Sequence, residues 1–209
     1  MEIDRLSVHR LSQALGNHSG KFSVRLRDED IERLSNYYSL LLKWNSRLHL
    51  VAPCSPEQFA TRHILESLLL LRHLPRNARV ADVGSGAGLP IIPCLILRED
   101  LSAILIESSP KKSVFLREAL RVLTNHEPAR LIVGRFEETP APKVDFVTCR
   151  AIERFQQVVP KLISWAPPRS TLLLFAGKAV LAKLEGLLPS VEAELIPGSD
   201  QRFLVIARL

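Results

Sequence analysis

The stretch that decides the fold is Ala81-Asp82-Val83-Gly84-Ser85-Gly86-Ala87-Gly88-Leu89-Pro90. It follows an apolar run from Arg79 to Val83 that reads as a strand, and it opens an apolar segment from Leu89 to Leu97 that reads as a helix. A glycine loop between strand and helix lets the chain turn tightly and lets a ligand reach backbone amides that a Cβ would shield. The other reading is a tight turn with no ligand. The spacing is GxGxG, without the GxGxxG of dinucleotide sites and without a following GKS or GKT, so a P-loop phosphate cradle is excluded. Asp82 sharpens the choice. A carboxylate at the loop entrance is adverse beside a pyrophosphate and suits a ligand with ammonium and sulfonium charges, which favours S-adenosylmethionine over NAD.

Outward from the loop, strands and helices alternate, the pattern of a parallel sheet covered on both faces. Strands are predicted at Leu101 to Ile106, Ala129 to Val133, Val144 to Thr148 and Thr171 to Phe175. Helices are predicted at Lys111 to Leu123, Ile152 to Trp165 and Lys178 to Leu188. Two late strands, Val191 to Ile196 and Phe203 to Ala207, are joined through Pro197-Gly198-Ser199, a hairpin connection. A doubly wound Rossmann-like α/β sheet that closes in an antiparallel hairpin is the class I methyltransferase arrangement.

Upstream, apolar residues recur at helical spacing near Ile3 to Leu15 and Asp28 to Asn45, and a third helix starts at Ser55-Pro56 and stops before Pro75. The division expected is a small N-terminal helical lobe over residues 1–60 and a methyltransferase domain over 61–209.

The whole-chain numbers agree with one globular core. The chain has 209 residues, 46% hydrophobic and 24% charged, which excludes a disordered or fibrous class. Subtracting 22 acidic from 28 basic residues leaves +6, which permits a polyanionic partner without demanding one. Cys54, Cys94 and Cys149 form no close pair and no CxxC, and the six histidines form no HExxH, so no structural metal is expected. The N-terminus lacks a basic start and an apolar run, so a cytoplasmic protein with no membrane span is expected.

Several residues carry candidate chemistry. Glu107, at the end of the second strand, is placed to accept hydrogen bonds from both ribose hydroxyls of a nucleoside; otherwise it is a solvent-facing strand end. Phe136 and Glu137 follow the third strand, where a ring and backbone amides can hold an adenine, although Phe136 also suits an ordinary core position. Arg150 follows the fourth strand, at the carboxyl edge that opens toward substrate. Cys149 beside it keeps open a thiolate mechanism of the pyrimidine C5 kind, and Cys94 suits a buried helix position. His63 is expected to pair with an acidic group or a carbonyl. Arg62, Lys111, Lys112 and Lys178 are candidates for phosphate contact, or else solvated surface charges.

Leu41-Leu42-Lys43-Trp44-Asn45, Arg62-His63-Ile64-Leu65-Glu66-Ser67, the loop from Asp82 to Pro93 and Arg150-Ala151 together resemble the bacterial 16S ribosomal RNA guanine-N7 methyltransferases, the glucose-inhibited division protein B family. The likeness runs from about Tyr37 to the C-terminus. It implies an S-adenosylmethionine-dependent enzyme acting on a guanosine in the 530 loop of 16S RNA, naked or in the small ribosomal subunit, and working as a monomer. Asp82, Gly84, Gly86, Gly88, Leu89, Glu107, Phe136, Glu137 and Arg150 would then hold the donor, with Arg150 also serving the transfer at the mouth between donor and RNA. Guanine N7 carries a lone pair and no proton, so such a transfer needs no general base. The alternatives are a methyltransferase for another RNA base or a small molecule, and a non-catalytic RNA-binding assembly protein.

The chain departs from the family pattern at Ile91, where glycine is usual, at Glu66 and Glu107, where aspartate is usual, at His49-Leu50-Val51, usually NLT, and at Ala176 near the fifth strand.

Overall fold

In the computed structural model, which describes residues 5–123, 129–150 and 155–209, seven strands form one sheet in the order β3-β2-β1-β4-β5-β7-β6. The strands are β1 (Arg79–Val83), β2 (Ser102–Glu107), β3 (Ala129–Val133), β4 (Phe146–Arg150), β5 (Thr171–Gly177), β6 (Val191–Leu195) and β7 (Arg202–Arg208). The first five pair in parallel. β7 runs antiparallel between β5 and β6, so the closing hairpin joins the sheet through its second strand. This is the doubly wound class I methyltransferase sheet expected.

The chain moves outward from β1 to β2 and β3, then returns to lay β4 on the other side of β1. That reversal separates the loops after β1 and β4, and a crevice opens there at the carboxyl edge.

Helices cover both faces. One face carries α1 (Arg5–His18), α2 (Asp28–Leu48), the short α3 (Pro56–Phe59) and α4 (Glu66–Leu68), α5 (Ile91–Leu97) and α6 (Pro110–Leu123). α7 (Phe155–Trp165) and α8 (Lys178–Leu187) cover the other. The N-terminal helices share a core with the sheet: Leu11, Leu34, Leu41 and Ile64 pack in one cluster with Val80, Leu95 and Leu105.

The third N-terminal segment begins as expected, with Ser55 Oγ accepting from the Gln58 amide at 3.1 Å and Pro56 in the first turn. It is not a uniform α-helix. Residues Ala60–Leu65 form a π-helical turn, and Leu69–Arg72 end it in a 3₁₀ turn. Single π-turns inside helices concentrate at functional sites, and this one holds Arg62 and His63.

Two boundaries matter for the site. The fourth strand is Phe146–Arg150, two residues later than Val144 to Thr148. Its ladder to β1 starts at Val80↔Phe146, above a clamp in which Arg79 Nε donates to Asp145 at 2.9 Å, so Cys149 and Arg150 become strand residues. The helix after the glycine loop starts at Ile91, two residues later than Leu89, which leaves Leu89 in the loop. α2 continues to Leu48, past Asn45, and closes on a left-handed His49 whose amide donates to the Asn45 carbonyl.

Candidate active site

The glycine loop is shaped by its own backbone. Gly84, Gly86 and Gly88 all have positive φ, at 72°, 53° and 80°, a region other residues enter at a cost. A Cβ on Gly88 would lie 2.2 Å from Ile92 Cδ1, so this position is closed to side chains. Gly86 meets only the Gly84 carbonyl, at 3.8 Å, leaving its ligand side open. The Gly84 amide donates to the Ile106 carbonyl at 2.9 Å, tying the loop to the end of β2.

Glu107 completes the turn. One carboxylate oxygen accepts from the Gly86 amide at 2.8 Å and the other from the Ser109 amide at 2.7 Å. Each oxygen keeps a second lone pair. Glu107 thus both fixes the loop and retains acceptor capacity toward the crevice.

Asp82 is not part of the crevice wall. Strand alternation sends its side chain to the same face as Val80, beneath the loop and toward Tyr37 and Cys94. It is wholly buried, and neither carboxylate oxygen has a hydrogen-bond partner among the described residues. Burial pushes its pKa up to about 7, with Glu107 adding to the rise and the nearby Ser85 opposing it. A buried carboxylate without partners carries a desolvation cost that its protonated form avoids.

The crevice is a cavity of about 1000 Å³. Its wall includes Gly84, Gly86, Leu89, Glu107, Phe136, Glu137 and Arg150 from the expected donor set, together with Lys112. Gly88 sits behind the wall, packed on Ile92. Phe136 combines both roles weighed for it: it lines the cavity, and it is buried edge-on against Trp165 with ring centres 5.5 Å apart. Glu137 lies at the rim, with Lys161 at 3.7 Å.

The N-terminal helices contribute directly. Buried Tyr37 donates its hydroxyl to the Ala87 carbonyl at 2.8 Å, bracing the glycine loop from α2. Asn45 holds the next loop, donating to the Val51 carbonyl at 3.1 Å and accepting from the Val51 amide at 3.0 Å. Leu50, Val51 and Ala52 therefore form part of the wall. The backbone of Val51 makes these bonds, so the polar side chains usual at this place are not needed for the turn.

The end of the cavity at β4 is built by side chains from distant segments. Buried Glu66 accepts from Arg202 of β7 at 2.6 and 2.8 Å and from Arg150 at 3.2 Å. Arg150 also donates to the Arg62 carbonyl in the π-turn, and its guanidinium lies 5.3 Å from the centre of the Phe175 ring. Burial raises the Glu66 pKa while Arg150, Arg202 and Arg62 pull it back. The Arg150 side chain is only 13% exposed, so it is a fixed wall residue and not a mobile surface cation.

His63 also lines the cavity, with its ring 5.0 Å from Phe59. The expected pairing to an acidic group or carbonyl is not made by Nδ1, which is buried without a partner among the described residues. Burial, then Arg150, Arg62 and Arg202, lower its pKa to about 4, so the imidazole is neutral at pH 7.

The remaining candidates are placed elsewhere. Cys149 is wholly buried in β4, between Val83 and Leu174, and is not in the cavity wall. Cys94 is buried in α5 against the Ser67 carbonyl, and burial raises its thiol. Lys111, Lys178 and the Arg62 side chain are exposed. Ala151 lies outside the described residues. Sequence reading did not identify Arg202, the bracing by Tyr37, or Glu66 as an anchor. The one available signal was a carboxylate inside the apolar run Ile64-Leu65-Glu66-Ser67-Leu68, which needs a buried partner.

Residues 30–195 match the profile of rRNA small subunit methyltransferase G, GidB. The chain belongs to this family. It is 33% identical over 178 residues to the Ribosomal RNA small subunit methyltransferase G of Chromobacterium violaceum, covering 85% of this chain and 80% of that one. The protein of the same name from Halorhodospira halophila is 34% identical over 192 residues, 88% of this chain and 91% of the relative. Among solved structures, the fold is similar to M. jannaschii TYW2 in complex with AdoMet, with a TM-score of 0.57 and 15% identity, covering 70% of this chain and 74% of that one. It is equally similar to ribosomal protein L11 methylase from Lactobacillus delbrueckii subsp. bulgaricus, with a TM-score of 0.57 and 20% identity over 70% and 78%. The family is a methyltransferase family, and the fold is the class I methyltransferase fold.

Proposed function

We propose that the protein transfers a methyl group from S-adenosylmethionine to N7 of a guanosine in 16S ribosomal RNA, in the 530 loop by family likeness. The methyl donor follows from a methyltransferase family on a fold whose solved members include a complex with AdoMet. The observation that carries the reading is the cavity at the β1/β4 reversal, with a glycine loop clamped by Glu107 at one end and Arg150 at the other.

The residues fit that donor. Its cationic part would feel the buried Asp82 carboxylate beneath the loop through space and not by contact. Its ribose hydroxyls have the spare lone pairs of Glu107, and its adenine has the edge of Phe136 and the rim at Glu137. Bound there, the donor supplies an electrophilic methyl group on a sulfonium.

Guanine N7 forms the new bond to the methyl carbon with its lone pair, and the old sulfur–carbon bond breaks with its electrons passing to sulfur. Positive charge thereby leaves sulfur and appears on the guanine ring. No proton moves, so the protein's task is alignment and exclusion of other poses. Arg150, fixed by Glu66 and the π-turn, serves that alignment through O6 or a phosphate, leaving N7 free. Burial of Cys149 speaks against a thiolate route. Lys112 in the wall and the exposed Arg62, Lys111 and Lys178 are the cations offered to the RNA backbone. The natural setting is the cytoplasm, where the ribosome is assembled, with the chain working as a monomer.

The test is to incubate the protein and labelled donor with undermodified 16S RNA and with small subunits, then map the product by mass spectrometry. N7-methylguanosine at one site is expected. Transfer to another base or none would overturn the reading.

A further inference from the structure

The lips of the cavity differ in how their charges are balanced. On the lip made by the turn after β3 and by α7, Glu137 stands 3.8 Å from Arg135 and 3.7 Å from Lys161, so both cations have an anion beside them. Arg150 likewise has Glu66. On the lip made by the end of α2 and the start of α6, the wall cation is Lys112, which makes no ion pair among the described residues.

A pin joins α2 to α6. Trp44 donates its indole N–H to Glu118 at 2.9 Å and meets Phe115 edge-on, with ring centres 6.5 Å apart. Beyond Trp44 the chain reaches the cavity wall at Leu50 and Val51, and before Phe115 it reaches the same wall at Lys112. Arg47 is one turn past Trp44 and Lys111 one turn before Phe115, so both stand on the seam between the pin and the cavity mouth. Lys43 stands one turn before Arg47 on α2. All three are exposed, and none makes an ion pair among the described residues. Glu118 is the only acid within residues 41–48 of α2 and 110–121 of α6, and its carboxylate accepts from Trp44.

We propose that this seam binds the RNA strand flanking the target nucleotide, with Lys43 and Arg47 of α2 and Lys111 and Lys112 of α6 set on its backbone phosphates. This rests on the functional reading above and makes the N-terminal helices part of the RNA surface.

Three arguments support the assignment. First, cations that outnumber the one carboxylate among them repel one another, and a polyanion laid along the seam relieves that repulsion while releasing its own condensed counterions. Second, the seam runs into the wall at Lys112, so a strand held there leads to the mouth of the cavity, whereas the α7 lip is already neutralised by Glu137. Third, the Trp44 pin fixes α2 against α6, so the two sets of cations hold their spacing without RNA and little ordering is required on binding.

The test is binding of undermodified 16S RNA, over a range of salt, to protein saturated with S-adenosylhomocysteine. Lys43→Ala combined with Arg47→Ala should weaken binding about tenfold or more at about 0.1 M salt and flatten the log–log salt slope by about 1.4, two contacts at roughly 0.7 each for a single strand. Calorimetric donor affinity should match wild type. In turnover, KM for RNA should rise while kcat at saturating RNA holds, as when binding is lost equally from ground and transition states. The control is Arg76→Ala combined with Lys143→Ala. It removes two exposed cations that precede β1 and β4, at the opposite edge of the sheet, and should change neither slope nor affinity. Salt-independent RNA binding by wild type, an unchanged slope in K43A/R47A, or an equal change in R76A/K143A would overturn the proposal. So would a loss seen with small subunits but not with naked RNA, which would assign the seam to a ribosomal protein. Failure of the underlying function shows separately, as wild-type protein that makes no N7-methylguanosine.

Discussion

The two ends of the cavity are built by different means. At the β1–β3 end, backbone does most of the work: three left-handed glycines, a loop tied to the Ile106 carbonyl, and Glu107 accepting the amides of Gly86 and Ser109, 21 and 2 positions away. At the β4 end, side chains from Glu66, Arg150 and Arg202, up to 136 positions apart, converge on one buried carboxylate. A backbone-built site tolerates little change of residue size, while a charge-built site tolerates little change of charge. The two ends should therefore fail in separable ways.

The largest effect on stability belongs to the charge-built end. Glu66→Ala leaves Arg150 and Arg202 facing each other without their shared anion, and a loss of about 3–5 kcal/mol is expected in urea unfolding. Glu66→Gln should fall between that variant and wild type. If E66A unfolds at the wild-type midpoint, the network is not what holds Arg150.

At the backbone-built end the largest effect comes from Gly88. Its φ of 80° and the 2.2 Å approach of Ile92 to an added Cβ leave no room for a side chain. Gly88→Ala should weaken donor binding about tenfold or more, as the loop shifts or Ile92 is displaced at a cost of about 1–3 kcal/mol. Unchanged calorimetric affinity would show that the loop does not set the donor pose.

Asp82 gives a pH-dependent comparison. Its folded pKa of about 7 lies above the ordinary value of 3.8, so the folded state holds a proton that the unfolded state has released. This contribution to stability is complete below pH 4 and is lost as pH rises through 7. Asp82→Asn should therefore raise Tm at pH 8 relative to wild type and change it little at pH 4. Because a cation bound above the loop favours the ionised carboxylate through space, wild-type donor affinity should rise modestly with pH through 7, and D82N should lose that dependence. A wild-type affinity flat across that range would remove Asp82 from the donor's electrostatics.

The smallest effect concerns the brace between lobe and loop. Tyr37→Phe removes one buried hydrogen bond to the Ala87 carbonyl, with about 1–2 kcal/mol of stability expected to go with it. A modest drop in donor affinity should accompany it if the helical lobe supports the loop.

The same contrast explains what could be read before the structure. The glycine-loop end is encoded in nearly consecutive residues: a strand, spaced glycines and a helix between Arg79 and Leu97, with Glu107 recognisable as the end of the next strand. The alternating pattern after Arg79 also announced the doubly wound sheet and its final hairpin. The β4 end depends on which distant side chains the topology brings together, and no local pattern carries that. Arg202 meets Glu66 only because β7 inserts beside β5. The π-turn was hidden for a related reason, since its residues have ordinary helical propensity and the register change is set by packing. Asp82 was read as facing the ligand because sequence shows proximity to the loop but not which face of β1 a side chain takes.

The central claim is that one cavity holds donor at the glycine loop and acceptor at Arg150. The direct measurement is a paired one on Glu107→Ala and Arg150→Ala, with donor affinity from calorimetry and methyl transfer to undermodified 16S RNA from the same preparations. E107A should lose donor affinity about tenfold or more, as a charge-assisted pair of hydrogen bonds disappears, and R150A should lose transfer by a larger factor than it loses donor affinity. Equal loss of donor affinity in the two variants, or full transfer by R150A, would contradict it.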